Sequence, residues 1–382
     1  MAENKNQHFV PQYYLERFGY GTNKKLIRLA HLDSRRVVHT ASIRGQCSAD
    51  YFYGKDSPID AALRQFESNE GAVLLRIDES HALPQRDSVE SHSLYQMAAL
   101  FSSRTPRAAA STGNMMDAVL NETFQKLLAA GKLPSPPPGV NPEAVRVSGK
   151  NSAKASMATQ LAFTEFIHLL DLSLTILQAP PDTEFITSDH PAVLVNQALA
   201  GKYAPPHSAT GFALRGLQIA LPISPSTCLF FYDDDVYRIG PKNSKAVSIS
   251  SSDVVLLNAL QVLNGGEHIY FHSEKTESSV RKLILKFLSR RPNLRSVEKI
   301  KKEQGTYMIS SKEEVPLPGR WSFCKVRPRK GVVLRLAPRQ PEFSRRVREW
   351  ETTCLKGNLR ISLEQFLSDP EIRSLLRRNN RR

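Results

Sequence analysis

His8, Glu67, Arg104 and Asp189 are far apart in the chain, but together they have the types that phosphodiester chemistry needs. His8 precedes Phe9–Phe18, which reads as a short helix, and the first N–H groups of a helix lack internal partners and favour an anion. With Gln12, His8 could hold a phosphate oxygen, and its imidazole could exchange a proton near neutral pH. It could equally hydrogen-bond a backbone carbonyl and fasten the amino-terminus. Glu67 and Glu70 are three apart, so a helix puts them on neighbouring positions of one face. Glu67 and Asp189 together could bind Mg2+, which takes carboxylate oxygens and suits phosphodiester cleavage. Asp189 lies in Ser188-Asp189-His190-Pro191 after a short apolar strand, where a carboxylate either faces a cleft or closes an Asx-turn. Arg104 ends a helix before Thr105-Pro106, where a guanidinium could clamp phosphate or pair with a helix terminus.

Other polar groups carry less. Asp233-Asp234-Asp235 falls where a hairpin turn is expected and reads as solvated. His268 and His272 share one strand face but have no third ligand nearby in sequence. Pro181-Asp182-Thr183-Glu184 lacks the trailing lysine of a restriction-type nuclease motif.

Periodicity supplies the elements that must position these groups. Helices are expected from about Ile59 to Ile77, Ser88 to Ser103 and Asn114 to Ala130. A proline-rich connector follows from Pro134 to Pro142, then one long helix over about Ala153–Leu177, stopped by Pro180-Pro181. Strands are expected at Lys25–His31 and Arg36–Ala41, then at Glu184–Thr187, Ala192–Val195, Gln218–Leu221, Thr227–Tyr232 and Val236–Ile239. A helix capped by Ser250–Asp253 runs to Leu263; the strand His268–His272 and the basic helix Ser278–Ser289 come after it. Helices first and strands later predict an α+β fold, a helical amino-terminal half packed on a mainly antiparallel sheet, with a basic carboxy-terminal extension.

The stretch Asn6-Gln7-His8-Phe9-Val10-Pro11-Gln12-Tyr13-Tyr14-Leu15, with Phe18 a turn later, resembles the opening box of an uncharacterised, mainly bacterial family, domain of unknown function 4238. Tyr53, Glu67, Arg104-Thr105-Pro106, Ile186–Pro191, Leu221–Pro225 and Asn258 follow in that family's order. The resemblance spans roughly residues 5–290, and His190 stands where Asn is expected more often. It implies an architecture and a set of positions; the family carries no established reaction.

Charge divides the chain at nearly the same point. Residues 1–280 carry 25 Lys and Arg against 27 Asp and Glu, whereas residues 281–382 carry 27 against 10, a net +17. A segregated positive field implies an anionic partner, so residues 1–290 are read as a core and 291–382 as a nucleic-acid-binding segment. Arg290, Arg291, Arg327, Arg329, Lys330, Arg345 and Arg346 are its candidate phosphate contacts, with Trp321, Phe323 and Trp350 available to stack on bases. The expected function is nucleic-acid association, RNA or DNA, with nuclease-like processing by His8, Glu67, Arg104 and Asp189. The alternatives are a non-catalytic accessory subunit with a protein partner, or a binder of a small anionic metabolite. The opening residues lack a signal-peptide pattern, no tract reads as a membrane span, and four scattered cysteines without a CxxC pair suit reduced thiols, which together point to the cytoplasm.

Overall fold

The computed structural model describes residues 5–55, 57–134, 136–200, 208–240, 246–293, 296–302, 305–311, 314–355 and 363–377. The chain opens with strand β1 (Asn6–His8), one helical turn α1 (Gln12–Leu15), the hairpin β2 (Leu26–His31) and β3 (Val37–Ser42), and β4 (Ser48–Asp50). Strand β4 pairs antiparallel with β1, opposing His8 to Ser48. Three long helices follow: α2 (Pro58–Ser80), α3 (Val89–Ser103) and α4 (Pro106–Ala129). Ser57, Ser88 and Thr105 cap them, each side-chain oxygen accepting a first-turn N–H. Pro58 and Pro106 occupy first-turn positions, where the missing N–H costs nothing. Helix α4 thus starts at Pro106, eight residues before the periodicity suggested.

Helix α5 spans only Asn151–Glu165; a 3-10 turn (Phe166–Leu169) leads into strand β5 (Ser173–Gln178). The long helix expected to Leu177 is therefore two elements. Its apolar run carries on past Glu165, His168 and Asp171 with no Gly or Pro to break it, so periodicity could not separate a buried helix from a buried strand. Strand pairing decides it: β5 lies antiparallel to β9 (Thr227–Tyr232), with Ile176 opposite Leu229. Strands β6 (Thr187–Ser188), β7 (Val193–Val195) and β8 (Gln218–Pro222) precede β9, and β10 (Tyr237–Ile239) and β11 (Ala246–Ser248) follow it. Helix α6 (Ser251–Asn264), β12 (His268–Phe271) and α7 (Glu274–Phe287) complete the amino-terminal three-quarters.

Two sheets make the frame. One has the order β11-β5-β9-β8-β7, antiparallel except for β11 beside β5; the other is antiparallel with the order β3-β2-β12-β6. The α+β class, with helices early and mainly antiparallel sheets later, is what the sequence predicts.

After α7 come the ribbon β13 (Ser296–Lys302) and β14 (Gly305–Ser311), then β15 (Cys324–Val326), α8 (Pro341–Leu355), α9 (Leu363–Ser368) and α10 (Pro370–Arg377). Strand β15 pairs with β10. Trp321, Phe323 and Cys324 are buried with Phe230 and Tyr237, while Phe343, Val347, Phe366, Ile372 and Leu375 join the cluster of Phe101 and Phe166. Residues Val332–Leu336 form a loop with Val333 and Leu334 exposed. Among the described residues, no helix is long and apolar enough to cross a membrane.

Candidate functional site

Gln7 on β1 accepts the Tyr53 backbone N–H at 2.7 Å and donates to the Gly54 carbonyl at 3.0 Å, tying the first strand to the start of the helical half. Arg104, only 2% exposed, lies behind it. Its guanidinium donates to Glu67 (2.5 Å), to the His8 carbonyl (2.8 Å) and to the Tyr53 hydroxyl (3.2 Å). Burial works against the charge on Arg104, but Tyr53 and Glu67 outweigh it and raise its pKa above the ordinary arginine value.

The His8 side chain meets the Arg44 carbonyl at 3.2 Å, and burial lowers its pKa. This is the fastening geometry. Gln12 sits half-buried on α1, whose single turn has a correspondingly short dipole. His8, Glu67 and Arg104 thus come together, but through the His8 backbone carbonyl.

Asp189 is elsewhere. Its carboxylate accepts the backbone N–H groups of Gly266 (2.6 Å), Glu267 (2.7 Å) and His268 (3.1 Å), closing the turn between α6 and β12. Burial pushes its pKa up, while those donors and the His268 imidazole pull it back. A Cβ on Gly266 would stand 3.0 Å from the carboxylate, which would have to give by a few tenths of an ångström to admit one.

The segment around Asp189 is laced to α6 by three buried carboxamides spaced three apart on one helix face. Asn258 accepts the Ile186 N–H and donates to the Glu184 carbonyl; Gln261 accepts the Ser188 hydroxyl and donates to the Pro191 carbonyl; Asn264 donates to the His190 carbonyl. Tyr14 links the opening box to the same region, bonding Thr187 (2.7 Å) and the Pro222 carbonyl (2.5 Å). Arg17 donates to the Ile223 carbonyl and pairs with Asp78, which also receives the Ser224 and Thr227 hydroxyls. The boxes therefore brace one another. The signal that could have shown this was the run of carboxamides on an otherwise apolar helix.

Glu67 is paired with Arg104, and the Asp189 carboxylate is held by backbone N–H groups. No group of three or more His, Cys, Asp or Glu among the described residues is placed to hold a metal ion. Asp233 supports its own turn, accepting from Gly216 and Asp235, while Asp234 and Asp235 pair with Arg329.

Glu70 differs from its neighbour. It is buried, accepts the Tyr13 hydroxyl at 2.5 Å on one oxygen and leaves the other without a partner among the described residues. Burial holds its pKa well above the carboxylate range. The folded chain then binds a proton that the unfolded chain releases, so this group favours folding at low pH and opposes it increasingly as pH rises above about 4.5. Melting temperature measured from pH 5 to 8 is expected to fall more steeply in the wild type than in Glu70→Gln. The corresponding difference in the pH slope of unfolding free energy is at most about 1.4 kcal/mol per pH unit for one proton.

One motif contact opens on a cavity. Thr105, the cap of α4, bonds the His190 ring nitrogen Nδ1 at 2.5 Å across 85 residues of sequence. His190 lines a cleft of about 350 Å³, with Ser102, Ser103, Arg107, Ser111, Glu165 and Asn264, and with the apolar Ala158, Leu161, Leu194 and Phe212. Sequence reasoning passed over Arg107 and Glu165, since nothing in their spacing relates them to His190.

The expected phosphate contacts divide. Arg291 donates to the carbonyls of Gly265 and Gly266; Arg329 is paired with the aspartate turn; Arg345 pairs with Glu342 and Glu349, and Arg346 with Glu371. Arg290, Arg327 and Lys330 are exposed and in no ion pair among the described residues. Further basic residues at 299–302 and 377–382 lie outside the residues whose side chains are described.

Fold and site together define an α+β protein whose sequence boxes interlock as a buried polar brace beside a cleft of mixed lining. The chain belongs to the family described as protein of unknown function (DUF4238), whose model matches residues 6–275. No curated protein and no solved structure matches the chain.

Proposed function

We propose that this chain binds RNA or DNA through a basic face around β10 and β15, with the sequence boxes bracing the core that carries it. The observation behind this reading is a like-charged cross-strand pair. Arg238 on β10 stands directly opposite Lys325 on β15, both exposed, and the exposed Arg327 and Lys330 follow Lys325 closely in the chain. Like charges in that position repel, and a bound polyanion relieves the repulsion. Arg238 donates to the carbonyls of Asp234 and Tyr237, while the Asp234 and Asp235 carboxylates are paired with Arg329.

Phosphodiester processing by His8, Glu67, Arg104 and Asp189 finds less support, because each makes a contact that holds the fold. A binding role needs none of them exposed. The buried, free thiols of Cys47, Cys228 and Cys324 suit the reducing cytoplasm.

The test is the salt dependence of binding to fluorescent single-stranded RNA and DNA. For Lys325→Gln/Arg327→Gln/Lys330→Gln, the slope of log K against log salt is expected to become shallower by about 2, since each lost phosphate contact removes about 0.7. An unchanged slope would remove the basic face from the account.

A further inference from the structure

We propose that the cleft beside His190 binds a small phosphate ester, its phosphate held by Arg107 at the start of α4 and its body lying against the apolar residues of α5. This site is separate from the basic face and does not depend on nucleic-acid binding.

The cleft has a cationic end. Arg107 is half-buried and donates one N–H to the Pro292 carbonyl at 2.6 Å, but is in no ion pair among the described residues. Arg291 is close enough that its charge adds to burial in lowering the Arg107 pKa. Asp189 offsets this field only in part, its oxygens being held by three backbone N–H groups. Arg107 also sits in the first turn of a 24-residue helix, where aligned peptide dipoles favour negative charge. A guanidinium at such a place matches the oxygens of a phosphate.

Hydroxyl donors adjoin it. Ser103 and Ser111 line the same cleft, and multiple donors suit a group with three terminal oxygens. Thr105 fixes the His190 ring, so this polar wall is pre-organised. Glu165 is the one carboxyl among the described lining residues, and burial raises its pKa. A volume of about 350 Å³ is at the small end of ligand pockets, which suits a compact monoester and excludes a folded polymer.

Titration calorimetry on the full chain tests this with phenyl phosphate, inorganic phosphate and benzyl alcohol. Wild type should bind phenyl phosphate saturably at one site, more tightly than inorganic phosphate, and show no saturable heat with benzyl alcohol. Arg107→Gln should weaken phenyl phosphate about tenfold or more, the loss expected for one charge-assisted contact. Ser111→Phe fills the cleft from a half-buried helix position without removing charge, and should abolish binding at an unchanged melting temperature. Lys325→Gln/Arg327→Gln/Lys330→Gln should bind phenyl phosphate as wild type does, which separates this site from the basic face. No saturable binding by wild type, or full binding by Ser111→Phe, would overturn the proposal. So would loss of binding in the triple variant alone.

Discussion

Arg339→Met is expected to destabilise the chain by about 3–5 kcal/mol, measured by urea denaturation. Arg339 is 5% exposed and makes a two-oxygen contact with Asp171, Nε lying 2.9 and 3.1 Å from the carboxylate oxygens. It also donates to the carbonyls of His168, Phe212 and Leu214. Removing it leaves a buried carboxylate and three acceptors without their donor, and that uncompensated charge dominates the cost. Arg339→Met/Asp171→Leu should recover much of the loss, because an apolar pair leaves no orphan charge. Similar stability in the two variants would show that packing, and not charge, sets the effect.

The position of Arg339 also changes how the basic segment is understood. It lies beyond β15, yet its partners are in the turn before β5 and the loop before β8. Truncating the chain at Arg291 would therefore remove Phe343, Val347 and Trp321 from the two cores along with the charge. Point substitutions on the surface separate the two effects; truncation confounds them.

Arg104→Gln should cost a comparable amount, about 3–5 kcal/mol, by the same denaturation measurement. The guanidinium joins β1, Tyr53 and α2, so its loss releases the His8 carbonyl and leaves Glu67 charged beside an apolar core. The Glu67 side chain keeps 21% exposure and can recruit water, which makes this the smaller of the two effects. Adding Glu67→Gln to Arg104→Gln should return part of the loss, and the double-mutant cycle isolates that pair. Strictly additive costs would show that Arg104 acts through the His8 carbonyl and Tyr53 alone.

Much of the fold was legible because local rules carry it. Ser88 and Ser250 mark helix starts that the caps confirm, and Asp233–Asp235 turns the chain between β9 and β10. Strand β5 was not legible, since Ser173–Gln178 continues an apolar run whose conformation is set by pairing with β9 and β11. The candidate residues were legible as types. Their company was not, because Arg104 meets His8 through a carbonyl that every residue possesses. Thr105 and His190 likewise meet only through the tertiary fold.

Charge segregation was visible in composition, but its availability was not. Arg345 and Arg346 are drawn into ion pairs with Glu342, Glu349 and Glu371, and Arg339 is buried. Lys325, which carried no weight as a sequence signal, gains it from standing opposite Arg238.

The central claim is that the boxes brace and the basic face binds. It is tested most directly by the affinity of labelled single-stranded RNA and DNA for three full-length proteins at one salt concentration with Mg2+ present. These are wild type, His8→Gln and Lys325→Gln/Arg327→Gln/Lys330→Gln. The account predicts that His8→Gln binds as wild type does, with both probes recovered intact, while the triple variant loses most of its affinity. Cleavage of a probe by wild type that His8→Gln abolishes, with the triple variant binding normally, would contradict it.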